Sequence, residues 1–102
     1  MVATKNEIKT AAEAVMNSYG LSGWTFKWTS SKVEFGFTDQ DHHVIEASWK
    51  LFKSNGPAEF EDTLIHEISH ALLPDPMAAA HGPEWVAKAT ELGVQNIDYY
   101  KD

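Results

Sequence analysis

The spacing of apolar positions changes twice along this chain. From Thr4 to Tyr19, Ile8, Ala12, Val15 and Tyr19 recur every three or four residues, which predicts an amphipathic helix. Thr4 and Glu7 have the spacing of a capping box, and Gly20 stands where a C-terminal cap is expected. From Trp24 the period falls to two. Trp24, Phe26 and Trp28 alternate with Thr25, Lys27 and Thr29, Ser30 and Ser31 read as a turn, and Val33–Thr38 alternates again. A second turn at Asp39-Gln40-Asp41 leads into a third run, His43–Trp49. These runs predict three strands arranged as an antiparallel meander with one buried face. The aromatic stripe on the first strand reads as core rather than as a platform for stacking bases.

The helical period returns at Gly56. Pro57 suits a first helical position, Glu59, Glu61 and Asp62 complement the positive end of the helix dipole, and Phe60, Leu64, Ile68, Ala71 and Leu72 supply the apolar face. Pro74 and Pro76 stop this helix, because the residue before a proline avoids helical geometry. A last helix is expected to start near Pro83 and end at Gly93. The predicted order is α-β-β-β-α-loop-α, an α+β arrangement. No internal repeat or low-complexity tract interrupts it, and 102 residues suit one domain spanning 1–102.

Composition narrows the chemistry. The chain has no cysteine, which excludes disulfides, thiol nucleophiles, Fe–S clusters and cysteine-ligated zinc ribbons. Eight Lys and Arg against fifteen Asp and Glu give a net charge of −7, which argues against broad contact with a nucleic-acid backbone. Lys27, Lys32, Lys50 and Lys53 lie in one central stretch and leave room for a local basic patch. No apolar run is long enough for a membrane span, and Met1–Thr10 carries Lys and Glu where a signal peptide needs apolar residues. The expectation is a cytoplasmic, monomeric protein whose partner is a protein or peptide substrate.

One constellation stands out. His66-Glu67-Ile68-Ser69-His70 is H-E-x-x-H on the second predicted helix. Four residues make about one helical turn, so both imidazoles leave the same face and can hold one Zn²⁺. Glu67 lies beside the first of them, near enough to act on a water at the metal without ligating it. A catalytic zinc normally takes three protein ligands. His81 is the best candidate for the third, since the proline-broken loop can return it to the helix face; Glu84, in the first turn of the last helix, competes with it.

Leu64–Leu73, followed by His81-Gly82-Pro83-Glu84-Trp85, resembles the SprT-like (Spartan-type) zinc metallopeptidase domain. That family's pattern is H-E-x-x-H on one helix, then H-G-x-x-aromatic opening the next. The resemblance runs roughly from Val33 to Gly93. It implies a zincin-like minimal metallopeptidase with an N-terminal helix, a three-stranded antiparallel sheet, an active-site helix and a C-terminal helix. It also implies zinc held by His66, His70 and His81, with Glu67 as general base. Many members add a four-cysteine zinc ribbon or another nucleic-acid-binding extension; with no cysteine in these 102 residues, such a ribbon and the DNA-directed roles that go with it are not expected here.

The expected activity is zinc-dependent hydrolysis of peptide bonds in flexible protein segments. The strand at Val44–Ser48, if it is the sheet edge beside the cleft, would pair with the extended substrate. Two alternatives remain: a non-catalytic, zinc-stabilised binding module, and a phage-repressor-cleaving type of H-E-x-x-H peptidase with an acidic third ligand. Among the other candidates, Trp85 reads as core beneath the metal helix, and His42 and His43 as solvated loop residues. Asp62 reads as a surface carboxylate, with orientation of a ligand imidazole as its alternative role. Tyr99 and Tyr100 read as a C-terminal tail, with oxyanion stabilisation as theirs.

Overall fold

In the computed structural model of the chain, which describes residues 4–30, 36–73 and 82–95, the first helix starts as its capping box predicts. The Thr4 N–H donates to Glu7 Oε1 at 3.0 Å and the Glu7 N–H to Thr4 Oγ1 at 3.1 Å, opening α1 (Lys5–Ser18). Its end is closed by paired bonds from the Leu21 N–H to Met16 O and from the Gly20 N–H to Asn17 O. This reversal needs Gly20 in the left-handed region, at φ +88°. It also folds Leu21 back onto Met16 in the core. The buried stripe of α1 is Ala12 and Met16; Val15, expected in it, is 37% exposed.

Three strands follow: β1 (Thr25–Thr29), β2 (Gly36–Asp39) and β3 (Val44–Ser48). The α+β class stands, but the sheet is mixed rather than an antiparallel meander. Its order is β1-β3-β2, with β3 parallel to β1 and antiparallel to β2. The strand directions are those a meander would have; what changes is that β3 inserts between the other two. It is the strand with most to bury, since Ile45, Ala47 and Ser48 are all buried. Alternation specifies which face of a strand is covered, not which strand lies next to it.

β2 also turns the other way from its aromatic pattern. Phe37 is 51% exposed, while Gly36 and Thr38 face the helices. Val33–Phe35, expected in the same strand, lie outside the described residues.

A helix the periodicity did not predict, α2 (Trp49–Asn55), follows β3 directly. Ser48 caps it by accepting the Leu51 N–H at 3.1 Å. Gly56, at φ +90°, then redirects the chain into α3 (Pro57–Ala71), with Pro57 in the first turn as predicted. The last helix, α4 (Pro83–Leu92), ends at left-handed Gly93.

α1 covers β1, while α3 lies along β2 and also packs on β3, α2 and α4. The main core gathers Ala12, Met16, Phe26, Ile45, Leu64 and Ile68. Trp24 and Trp28 pack partly buried against it, as core rather than as an open aromatic platform. Trp85, Ala89 and Val94 form a second cluster, against which Ile65 and Leu73 pack. None of the helices among the described residues is long and apolar enough to cross a membrane.

Candidate metal centre

α3 is held between these two apolar clusters, and the face between them carries the polar constellation. His66 and Glu67 are each 6% exposed, and His70, one turn on, is half-buried. The two imidazole rings lie 4.9 Å apart at 73°. A possible ligand atom from each of His66, Glu67 and His70 lies within 4.8 Å of the others. Burying two imidazoles and a carboxylate together is costly unless each is paired or ligating. The donors are nitrogen and carboxylate oxygen, a set suited to a borderline divalent ion such as Zn²⁺.

Each member is braced from another element. The indole of Trp85, fully buried on α4, lies 4.7 Å from the His66 ring and stacks on the His70 ring at 5.4 Å. Its Nε1–H donates to the His66 carbonyl at 3.3 Å. Trp85 is core as expected, and it also sets the wall against which both imidazoles stand.

Glu67 is braced from the sheet. The Thr38 hydroxyl on β2 lies 2.8 Å from Glu67 Oε1 and 2.9 Å from the Glu67 carbonyl. Glu67 Oε2 is 3.6 Å from His66 Nε2. Two residues further along the chain, the Gln40 side-chain amide donates to the His70 carbonyl at 2.6 Å. That carbonyl belongs to the last turn of α3 and also accepts the Leu73 N–H at 3.2 Å. Residues 36, 38 and 40 thus fasten β2 and the turn after it to the His66–Glu67–His70 face of α3. Sequence reasoning missed all three. The only signal was Gly36 inside an apolar strand, which often marks close backbone approach.

The remaining sequence candidates divide. Asp62 is not a surface carboxylate: it is 7% exposed and accepts the Gln95 N–H at 2.6 Å, tying the segment after α4 to α3. Glu84 is exposed on α4 and stands outside the His66–Glu67–His70 group. His81, Tyr99 and Tyr100 lie outside the described residues; α4 begins immediately after His81, at its N-cap Gly82. His42 and His43 are exposed as expected. His42 bonds to Asp39 at 2.8 Å and thereby holds that carboxyl below its ordinary range, while His43 stacks on Trp24.

The helix, the imidazole pair and the tryptophan below it follow the family pattern read from the sequence, and a family comparison matches residues 5–101 to SprT-like proteins. The chain belongs to the SprT-like family. Comparisons with curated proteins and with solved structures returned no match. In this SprT-like chain the match takes in α1 as well as the His66–Glu67–His70 face. The first helix is therefore part of the family's domain, although its own residues carry no distinctive motif.

Proposed function

We propose that this SprT-like chain is a zinc-dependent metallopeptidase that hydrolyses peptide bonds in flexible protein segments. The observation that carries this reading is the convergence of His66, Glu67 and His70 donor atoms within 4.8 Å on α3, the first two buried and the third half-buried. His66, His70 and His81 are the proposed ligands. His81 precedes the helix whose Trp85 lies against the other two imidazoles.

Bound zinc supplies Lewis acidity, polarising the scissile carbonyl and lowering the pKa of a water beside it. Glu67 takes a proton from that water through Oε2, the oxygen on the His66 side, and passes it to the leaving amine. Its other oxygen is engaged by Thr38. Trp85 keeps the two imidazoles in place and excludes water from beneath them.

Substrate pairing belongs to β2 rather than to β3. Val44–Ser48 is bonded on both sides, so its backbone has no vacant edge. The outer edge of β1 is closed in part by Glu13, which accepts the Phe26 N–H at 3.0 Å. Among the described residues β2 is the sheet edge that lies along α3, and an extended chain added there would run past Glu67. Pairing through backbone groups tolerates varied side chains but requires an unfolded segment.

The test is Glu67→Gln, assayed with casein as a flexible substrate, with and without a chelator, alongside elemental analysis. Retained zinc with lost cleavage supports the proposal. Undiminished cleavage removes Glu67 from its role, and zinc binding by a wild-type protein that cleaves nothing points to the binding module instead.

A further inference from the structure

The Glu67 side chain has three rotatable bonds, and ordering such a chain costs conformational entropy. A general base that wandered among rotamers would spend little time facing a reacting proton. Here two contacts from one strand restrict it. The backbone of Gly36 lies so close that a Cβ there would stand 3.1 Å from Glu67 Cγ, which bounds the stem. The Thr38 hydroxyl meets Oε1 at 2.8 Å, which bounds the head.

We infer that Thr38 is a positioning residue, whose hydroxyl holds the Glu67 carboxylate so that Oε2 faces the imidazole pair. The inference rests on the metallopeptidase reading for its consequence in catalysis, and on geometry alone for the positioning. A hydroxyl has one proton, and Thr38 has two acceptors, Glu67 Oε1 at 2.8 Å and the Glu67 carbonyl at 2.9 Å. An ionised carboxylate draws that proton more strongly than a carbonyl does. Both acceptors belong to residue 67, so the hydroxyl is anchored there in either case.

Threonine suits the position for a second reason. Its branched Cβ restricts χ1 in a strand, so the hydroxyl is already aimed before the carboxylate arrives. Gly36 and Thr38 are two residues apart and share a face of β2, with the helix passing over both. The edge proposed to receive the substrate thus also sets the rotamer of the base.

The experiment compares Thr38→Val, which keeps the shape and removes the hydroxyl, with Thr38→Ser, which keeps the hydroxyl. Each is measured for zinc content, kcat, KM and the Glu67 conformation in a crystal structure of the zinc-loaded protein. Expected for valine is near-stoichiometric zinc, kcat reduced about 10–100-fold and a displaced Glu67 carboxylate. KM should stay within about 2-fold, as for a group that acts on the chemical step. Serine should restore kcat and the wild-type Glu67 conformation. Thr38→Ala, which adds no bulk, replaces valine if valine disrupts the fold. Unchanged kcat and an unmoved carboxylate in both hydroxyl-free variants would overturn the inference, as would a loss that serine fails to rescue. Should the wild-type protein cleave nothing, the metallopeptidase reading fails, and the Glu67 conformations still decide the positioning.

Discussion

Gly36 and Glu67 are in near-contact across the boundary between the sheet and α3: a Cβ built on Gly36 would stand 3.1 Å from Glu67 Cγ and 3.0 Å from the Glu46 carbonyl oxygen. Thr63 Cγ2, one turn earlier on the same helix, would also be 3.1 Å away. The absence of a side chain at residue 36 lets the helix settle onto β2.

Gly36→Val therefore crowds both α3 and the β3 backbone at Glu46. Overpacking of this kind costs typically about 1–3 kcal/mol. The expected result is a lower urea midpoint, together with weaker peptidase activity because Glu67 moves with the helix. An unchanged midpoint would show that the contact is easily relieved.

Trp85 joins the second apolar cluster to both imidazoles. Truncating a buried tryptophan to alanine costs about 3–5 kcal/mol, a large share of the roughly 5–15 kcal/mol available to a domain. Trp85→Ala should be close to unfolded at 37 °C by circular dichroism. Trp85→Phe keeps a ring against His66 and His70 while giving up the long bond to the His66 carbonyl, so it should fold and bind zinc.

Asp62 ties the segment after α4 to α3 through the Gln95 N–H. Hydrogen bonds to charged groups contribute about 1.5–3 kcal/mol, and Asp62→Ala should lose that amount in urea denaturation. Hydrogen exchange at the Gln95 amide should accelerate in the same variant. If exchange there is unaltered, the bond does not hold the segment.

Acid sensitivity should trace in part to Glu13. The Phe26 N–H holds its carboxyl below the ordinary range, against the opposing effect of burial, and Lys9 adds to the lowering. A folded pKa below the unfolded one means the contribution is present above the unfolded value of 4.5 and is lost as pH falls through the folded value. Urea midpoints taken from pH 6 downward should fall less steeply for Glu13→Gln than for the wild type below about pH 4.5. Parallel curves would remove Glu13 as a source of acid lability.

Metal binding should be visible in stability without any substrate. An ion that binds only the folded state adds about 2.7 kcal/mol at 100 times its Kd. Zinc should accordingly raise Tm, by about 4–8 °C for each kcal/mol in a domain this small. His70→Ala should abolish the shift and Glu67→Gln should preserve it. A shift lost in Glu67→Gln would make that carboxylate a ligand rather than a base.

Much of this molecule was readable along the chain because the governing interactions act within a turn or two. The Thr4–Glu7 capping box, the glycine that ends α1, Pro57 at the start of α3 and the helical run through His66 and His70 are all local. The imidazole pair follows from spacing alone, since residues four apart on a helix must be neighbours. The short helix α2 was less visible: at seven residues, Trp49–Asn55 has little room to show a period.

Sequence by itself determined the three longer helices, the strand-forming runs, the histidine pair and the absence of any thiolate ligand. Tertiary structure alone decided the order β1-β3-β2, the outward turn of Phe37, the burial of Asp62 and the arrival of Gly36 and Thr38 at Glu67. The physical reason is range. Caps and periodicities join residues a few positions apart, whereas Thr38 and Glu67 are 29 apart and meet only because β2 lies along α3.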